Sequence, residues 1–185
     1  MKKVGNILLA VGLLMMAFTV FKVYQVYQNQ NIGLAKAKSI LNDKTLKDIK
    51  NFHPKKDDVI GILKIPKLDD DLAIYEGADE DSLEKGVGHH RATAFPGQGE
   101  QILLAGHRDT VFRKFGELKP GDVFILEFPY GTFKYKMASS KIVDKNDRTI
   151  IRKAGKEELV LSTCYPFHFV GKAPKRYIIY AYPVD

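Results

Sequence analysis

Three residue types that together can perform nucleophilic catalysis stand at the ends of apolar runs in this chain of 185 residues. Cys164, the only cysteine, directly follows one such run, His107 follows another after a single glycine, and Arg176 precedes a third. A thiol attacks carbonyl groups as its thiolate, which a neighbouring histidine favours, and a guanidinium can hold a substrate carbonyl or a developing oxyanion. The sequence therefore offers a candidate nucleophile, a candidate base and a candidate oxyanion holder.

Each of the three residues has a plainer interpretation when it is taken alone. A lone cysteine is often a small buried hydrophobe, although it excludes an internal disulfide and a zinc site built from several cysteines. His168 is a rival base, which we rank below His107 because Pro166 lies between it and Cys164. The joint position at strand ends favours catalysis, because the end of a strand on a rigid sheet presents a reactive group well.

The elements that must position these residues form an all-β domain that begins at Val59. From there, short runs rich in β-branched and aromatic residues alternate with turn residues. The predicted strands are Val59–Ile65, Leu72–Tyr75, Gln101–Ala105, Val123–Phe128, Thr132–Val143, Leu159–Thr163 and Tyr177–Tyr182, and the predicted short helices are Asp79–Lys85 and Asp109–Phe115. Phe133, Tyr135 and Met137 alternate with lysines, which predicts one buried strand face after a hairpin turn at Pro129–Gly131.

The chain begins with a segment typical of a membrane anchor. Val4–Phe21 contains no charged residue, and as a helix it spans roughly 27 Å, close to the thickness of a hydrocarbon core. The lysines before it favour a cytoplasmic N-terminus, which places the rest of the chain outside the cell. No clean small-x-small cleavage site follows Met16, so we expect an uncleaved anchor rather than a removed signal peptide, with Tyr24 and Tyr27 near the outer interface.

A polar segment separates this anchor from the β domain. Residues 25–58 are rich in Gln, Asn, Lys and Asp, the spacing of their apolar residues predicts a helix over Ala35–Ile49, and Pro54 ends any helix there. We expect the segment to provide simple reach from the membrane, in preference to an inhibitory role over the active site. The expected division is a cytoplasmic tip and anchor at 1–24, a stalk at 25–58 and a catalytic domain at 59–185.

The charge pattern argues against nucleic acid as a partner. The chain has 29 basic and 22 acidic residues, for a formal net charge of +7, but the charges are interspersed and form no long basic stripe. We expect a solvated surface with mild attraction to anionic lipid or wall polymer. No metal or cofactor is expected, because His89 and His90 point to opposite faces of an extended chain and Asp69–Asp71 lack the alternating ligands of a calcium loop.

Three segments of the chain resemble the catalytic signatures of the sortase family. They are Leu103–His107, Leu161–Cys164 and Lys175–Ile178. The resemblance extends over most of residues 59–185: Gly61–Pro66 is similar to the family's first strand, and Gly88–His89 with Thr93–Gly97 is similar to its segment before the histidine strand. One departure is Val160, where the family's cysteine motif commonly starts with Thr, and it bears on the subclass rather than on activity.

The resemblance implies a closed eight-stranded β-barrel behind one transmembrane helix, and a membrane-anchored cysteine transpeptidase without a cofactor. Such an enzyme cleaves a sorting signal of LPxTG type after its threonine through a thioacyl-enzyme, and an amine such as that of lipid II or peptidoglycan resolves the intermediate. It also implies individual roles: Cys164 as nucleophile, His107 as general acid and base, Arg176 as substrate clamp and oxyanion support, and Thr163 in the wall of the site.

Substrate recognition is implied for the loops around the cysteine strand. Their apolar residues either contact the Leu and Pro of the signal or plug the end of the barrel. The implied substrate-binding residues are Thr93, Ala94, Ile150, Ile151 and Phe167, with Phe169 as an alternative to Phe167. The short loops, with no obvious lid segment ahead of the barrel, resemble class D sortases, which prefer signals such as LPNTA.

Two other classes of function stay open. An exported cysteine hydrolase of the papain or cell-wall amidase type is disfavoured, because those enzymes place the cysteine early and the histidine well downstream, the reverse of the order here. A non-catalytic, membrane-tethered binding domain with a buried, inert Cys164 is the other alternative. Thiol reactivity separates it from an enzyme, because a core cysteine resists alkylation in the folded state.

Overall fold

The alternating and continuous apolar runs form eight strands that close into one barrel. The computed structural model describes residues 2–168, 171 and 173–185. The strands are β1 (Val59–Ile65), β2 (Asp70–Glu76), β3 (Val87–His89), β4 (Gln101–Ala105), β5 (Val123–Phe128), β6 (Gly131–Asp144), β7 (Glu158–Tyr165) and β8 (Lys175–Val184), and the α-helices are α1 (Lys2–Leu41) and α2 (Glu80–Lys85). The expected closed eight-stranded β-barrel with an apolar N-terminal helix is therefore confirmed.

The order of strands around the barrel brings three distant segments to one edge. The order is β1-β2-β3-β4-β7-β8-β6-β5, and β5 pairs with β1 to close the barrel. β2 pairs with β3 and β4 with β7 in parallel, whereas the other pairs are antiparallel. Because β4 and β7 run in the same direction, both end at the same edge of the barrel, and β8 starts at that edge.

The barrel interior is filled by alternate side chains of its strands. In β7, Leu159 and Leu161 belong to the main core, while Val160 packs in a smaller cluster on the outer face with Leu103 and Ile178. The alternation continues along the strand and places Cys164 on this outer face. The interior core includes Ile60, Leu63, Ile74, Ile102, Leu104, Phe112, Phe115, Phe124, Leu126, Tyr135, Met137, Leu159, Leu161 and Ile179.

Most predicted strands are confirmed, and some bounds match to the residue. β1, β4 and β5 have the predicted ends, and the others extend by one to two residues beyond them. The buried face of β6 is also confirmed, because Tyr135 and Met137 are buried while Lys134 and Lys136 are exposed. Phe128 pairs with Gly131 across a two-residue turn, as the hairpin prediction requires. β3 was not among the predicted strands, because its three residues are too few to show a period.

One of the two short helices was predicted correctly and the other was not. α2 begins after Asp79, whose side chain accepts a hydrogen bond from the Ser82 amide at 3.4 Å and caps the helix. The helix predicted at Asp109–Phe115 is absent: residues 108–114 form hydrogen-bonded turns, followed by a 3-10 turn at Phe115–Glu117. These turns bury Val111, Phe112 and Phe115 together, with the two phenylalanine rings stacked at 3.7 Å.

α1 is one helix that continues through the predicted anchor and the first half of the predicted stalk. Its charge-free part is exposed along its length and is long and apolar enough to cross a membrane. Its last turns pack on the barrel: Ala37 is fully buried, with Leu34 and Ile40 beside it, against Ala73 and Tyr75 among other barrel residues. The segment 25–58 therefore makes packing contacts that simple reach from a membrane does not require.

The predicted helix at Ala35–Ile49 ends earlier than expected. α1 stops at Leu41, and two 3-10 turns follow, each started by an aspartate whose side chain accepts a backbone hydrogen bond two residues ahead. Asp43 accepts from Thr45, and Asp48 accepts from Lys50. Such side chains compete with the backbone hydrogen bonds of a continuing helix, which explains the break. Phe52 then enters the main core of the barrel.

Candidate active site

The histidine, cysteine and arginine singled out from the sequence meet at one edge of the barrel. In the parallel pair, Ala105 of β4 lies opposite Ser162 of β7, and the next residues continue this register: the Gly106 amide donates to the Ser162 carbonyl at 3.1 Å. One residue beyond Gly106 and Thr163 in this register, His107 lies beside Cys164. In the antiparallel pair, Cys164 lies directly opposite Arg176 of β8.

These three residues line a single cavity of about 510 Å³. Its described lining consists of Glu80, His107, Arg108, Asp109, Lys145, Cys164, Gly171, Ala173 and Arg176. Cys164 is partly exposed and unpaired with another cysteine, so its thiol is accessible from the cavity. A thiol, an imidazole and a guanidinium in one polar cavity can perform acyl transfer, because they supply a nucleophile, a proton shuttle and an anion holder.

Thr163 lies next to the site but faces the barrel interior. It is 2% exposed, and its hydroxyl donates to the Gly106 carbonyl at 2.7 Å. This hydrogen bond ties the strand that carries Cys164 to the residue before His107. The structure therefore gives Thr163 a contact that sets the spacing of the two strand ends, instead of a place in the cavity wall.

Thr93 and Ala94 lie beside the middle and the start of β4. The Thr93 hydroxyl accepts from the Leu103 amide at 3.1 Å, and the Ala94 amide donates to the Gln101 carbonyl at 2.8 Å. From Leu103 to His107 the extended chain covers about 13 Å. The structure therefore does not bring Thr93 or Ala94 to the cavity that contains Cys164.

The loop between β6 and β7 crosses the outer face of the barrel on which Cys164 lies. It leaves β6 at the catalytic edge and enters β7 at the opposite edge, because β6 and β7 both pair antiparallel with β8. Ile150 packs on the outer cluster formed by Leu103, Val143, Val160 and Ile178, whereas Ile151 is 36% exposed. The loop thus covers the outer cluster beside β7 and leaves Ile151 as its more exposed isoleucine.

Phe167 follows the catalytic strand and packs inward. Its ring makes edge contacts with Tyr165 at 5.5 Å and with Tyr177 at 5.2 Å, and it is half-buried against the main core. This is the packing expected of a plug at the barrel end. Phe169 lies outside the described residues. His168, the rival base, is exposed.

Arg108 is a residue of the site that sequence reasoning missed. It follows His107 directly, is only 6% exposed, and donates to the carbonyls of Pro166 at 3.0 Å and Gly171 at 2.9 Å. Its Nε also lies 3.3 Å from the Asp109 carboxylate. A buried guanidinium needs such partners. Arg108 therefore fastens the loop after Cys164 to the strand end that carries His107.

We expect replacement of Arg108 to slow the reaction by misplacing that loop. An Arg108→Ala variant should acylate with a peptide substrate ten- to hundredfold more slowly, mostly through a raised KM, because small misplacements in a catalytic site have effects of this size. Arg108→Lys should recover only part of the rate, since an ammonium lacks the planar fork of donors. Arg148→Ala, at an exposed arginine, is the matched control.

Stopped-flow or quenched-flow acylation kinetics measure this effect. Cys164 in Arg108→Ala should keep its reactivity towards iodoacetamide, because the guanidinium acts on the loop and not on the thiol. An unchanged KM in Arg108→Ala would contradict this role, and an equal loss in Arg148→Ala would make the effect non-specific.

Three glutamates hold the far end of the β6–β7 loop. The Glu100 carboxylate accepts from the amides of Ala154 and Gly155, and Glu157 accepts from the amides of Gly97 and Gly99 at 3.0 and 3.1 Å. Buried Glu158 binds Arg152 at 2.8 Å, Gln101 at 3.0 Å and Tyr182 at 3.0 Å. The Ala154 amide, as the strongest of several donors, holds the pKa of Glu100 below its usual 4.5.

Acid should release this end of the loop. Because the pKa of Glu100 is lower in the folded chain than its usual 4.5, its anchoring contribution is fully present above that pH and is lost as the pH falls through the lowered value. Hydrogen exchange of the Ala154 and Gly155 amides, normalised for intrinsic rates, should therefore accelerate as the pH falls through that lowered pKa, below 4.5. Glu100→Gln should show fast exchange already at pH 6, and Glu117→Gln, at an exposed glutamate, should not. Acid-insensitive exchange would contradict the anchoring role.

His89 and His90 have different surroundings. His89 is 1% exposed, its Nδ1 lies 2.7 Å from Glu76 and its Nε2 lies 3.0 Å from the Ala94 carbonyl. Parallel pairing of β2 with the unpredicted β3 places Glu76 opposite His89, so the sequence did not reveal this partner. Among the described residues, no group of three His, Cys, Asp or Glu side chains is arranged to hold a metal ion.

Comparison with known proteins gives one consistent family. The Sortase domain family model matches residues 63–184. Sortase D of Bacillus subtilis (strain 168) is 54% identical over 131 residues, covering 70% of this chain and 66% of that protein, and Sortase SrtE1 of Streptomyces coelicolor is 32% identical over 151 residues, covering 75% and 42%. The matched regions thus span less than two thirds of the length of both relatives.

Solved structures agree with this comparison. The catalytic domain of SrtD from B. anthracis is 41% identical, with a TM-score of 0.63 and coverage of 72% of this chain and 92% of that chain. A Sortase D5 transpeptidase from Clostridium perfringens is 24% identical, with a TM-score of 0.75 and coverage of 85% and 99%. The second likeness concerns the fold alone.

Proposed function

This chain belongs to the sortase family, with class D members among its relatives, and from that premise we propose that it is a membrane-anchored cysteine transpeptidase. The observation that carries the proposal is the cavity shared by Cys164, His107 and Arg176. We propose that it acts on proteins with a sorting signal of LPxTG type, including LPNTA, and joins them to an amine of lipid II or peptidoglycan.

The proposed reaction consists of two acyl transfers. The Cys164 thiolate attacks the carbonyl carbon of the signal's threonine while Arg176 holds the developing oxyanion. His107 protonates the leaving amine, the C–N bond breaks, and a thioester remains on Cys164. The acceptor amine then attacks the thioester and gives its proton to His107, so that a new C–N bond forms as the C–S bond breaks and the thiolate returns. Bond changes and protons balance without a redox step.

The outer face of β7 beside the β6–β7 loop is the proposed binding surface for the signal. Leu103, Val160 and Ile178 are buried there, Ile150 packs against them, and Ile151 is 36% exposed. An extended peptide lying along this face would contact the apolar side chains of the loop and bring a later residue to Cys164, because this face and the thiol are on the same side of the strand. Ile150 is thus proposed as a contact of the signal's Leu or Pro.

The N-terminal part of the chain supplies the proposed location. Residues 1–24 are proposed as the cytoplasmic tip and single-pass anchor, with the barrel of 59–185 outside the cell; the exposed, charge-free stretch of α1 and the lysines before it support this orientation. Residues 25–58 link the two parts, and their packing on the barrel suits a linker that also fixes the orientation of the catalytic domain.

Intact-mass analysis tests the proposed function. The full chain in detergent micelles is mixed with LPxTG, LPNTA and LAxTG peptides, and we expect a mass increase equal to the acyl part of a peptide through its threonine. The full chain is preferable to a fragment starting near Asp57, because Phe52 and Ala37 pack on the barrel. The absence of any adduct from a folded chain whose Cys164 also resists iodoacetamide would favour the inert binding domain.

A further inference from the structure

The part of α1 closest to its charge-free stretch lies beside the catalytic histidine. Lys22 is the first charged residue after the charge-free stretch that ends at Phe21, so a membrane-spanning α1 places Lys22 at the level of the lipid headgroups. Lys22, Gln25 and Asn29 line a cavity of about 210 Å³ together with His107 and Thr110. Because these residues line one small cavity, the catalytic histidine lies close to the membrane end of α1.

A second cavity extends the same contact region. Its volume is about 380 Å³, and Lys22 and Tyr27 of α1 line it together with Asp109, Thr110 and Arg113 from the turns after His107. Arg113 is exposed. Lys22 and Arg113 are thus two cations facing one space at headgroup level; Asp109 lines the same space, and Glu84 of α2 lines the smaller cavity.

One face of α1 accounts for these contacts and for its packing on the barrel. Lys22, Gln25, Asn29, Gly33 and Ala37 follow one another at spacings of three or four residues, which places them on one side of the helix. At Gly33 an added Cβ would collide with the Tyr75 hydroxyl, and Ala37 is fully buried. Because the helix shows no break between these positions, the packed end fixes the polar end beside His107.

We propose that α1 holds the catalytic histidine at the membrane surface, where the helix and the turns after His107 share two cavities, and that Lys22 and Arg113 bind the phosphate of a lipid-borne acceptor. The inference rests on the proposed function and adds the binding site of its second substrate. The amine of such an acceptor extends from the headgroup towards His107 and Cys164, while phosphate lies between the two cations. The acceptor therefore reaches the thioester without leaving the bilayer.

The geometry is tested without catalysis, because Cys164 is the only cysteine and takes a fluorophore alone. In nanodiscs with acceptor-labelled headgroups, the full chain should show strong energy transfer from Cys164. Ala37→Arg should weaken the transfer by pushing α1 off the barrel, and Ala35→Arg, at an exposed position of the same helix, should leave it unchanged. Weak transfer in the unmodified chain, or equal transfer in Ala37→Arg, would overturn the membrane-facing arrangement.

The phosphate site is tested with two acceptors that carry the same amine, one linked to a lipid through diphosphate and one soluble and free of phosphate. In zwitterionic nanodiscs, the double variant Lys22→Ala, Arg113→Ala should lose at least tenfold in transfer to the lipid-borne acceptor and should keep its transfer to the soluble amine. Lys38→Ala, at an exposed lysine of α1, is the control.

Two further measurements separate the sources of the effect. Inorganic diphosphate should inhibit only the transfer to the lipid-borne acceptor. If the double variant loses transfer only when anionic phospholipid is added, Lys22 and Arg113 bind bulk lipid headgroups, and the proposed acceptor site is overturned. An equal loss with both acceptors would also overturn it. Failure of the proposed function itself is distinct, because it abolishes the acyl adduct with peptide in every variant.

Discussion

A Cys164→Ala variant is expected to form no covalent adduct with any sorting-signal peptide under conditions in which the unmodified chain is acylated. Cys164 is the only cysteine of the chain, it is partly exposed, and it lies opposite Arg176 in the pairing of β7 with β8. Alanine removes the sulfur but adds no bulk, so the barrel should unfold at the same temperature. The measurement is intact mass over a time course that exceeds full acylation of the unmodified chain at least tenfold.

The control for this variant is Ser140→Ala, an exposed position on β6 outside the cavity. It should acylate at the rate of the unmodified chain. An adduct that persists in Cys164→Ala would move the nucleophile to another residue and would remove the basis of the proposed mechanism. Loss of the adduct together with loss of the folded barrel would be resolved with Cys164→Ser, which retains the size of the side chain and supplies a much poorer nucleophile.

A His107→Ala variant is expected to slow acylation by about 10²- to 10⁴-fold. His107 is the histidine among the described residues that line the cavity with Cys164, and its imidazole is the proposed donor to the leaving amine. The rate of adduct formation with a sorting-signal peptide measures the effect. His53→Ala, at an exposed histidine in the linking segment, should not show this change.

A second measurement distinguishes proton transfer from simple loss of structure. If His107 acts on the leaving group, a peptide ester with a good leaving group should recover much of the lost rate in His107→Ala, because departure of an alkoxide of low pKa needs less protonation. Full activity of His107→Ala on the normal peptide would overturn the assignment. His168, which is exposed, would then be the next residue to test.

The fold could be predicted from sequence where the apolar pattern of an element is long. The prediction failed where contacts with another segment of the chain decide the structure. β1, β4 and β5 are apolar runs bounded by turn residues, and their ends could be predicted to the residue. β3 exists because Val87–His89 pairs with β2 on one side and β4 on the other. Three residues are too few to predict these pairings from the sequence. The segment Asp109–Phe115, predicted as a helix, forms turns instead, because this conformation buries the stacked rings of Phe112 and Phe115.

The site divides in the same way. The strand-end positions of His107, Cys164 and Arg176 were visible in the sequence, and the barrel topology brings them together. Arg108 was not visible, because its acceptors are carbonyls 58 and 63 residues away along the chain. Thr93 and Ala94 bond to Leu103 and Gln101 of β4 and are not among the described residues that line the cavity with Cys164, so their contact with substrate stays a prediction.

The parallel pairing of β4 and β7 has a consequence for the chain before it is complete. No hairpin joins the two strands, and the Thr163 hydroxyl meets the Gly106 carbonyl across 57 residues of sequence. His107 is therefore made long before Cys164, and the two residues come together only when β7 has paired with β4. The proposed active site thus arises only with the finished barrel, and a partly synthesised chain holds the histidine without the cysteine.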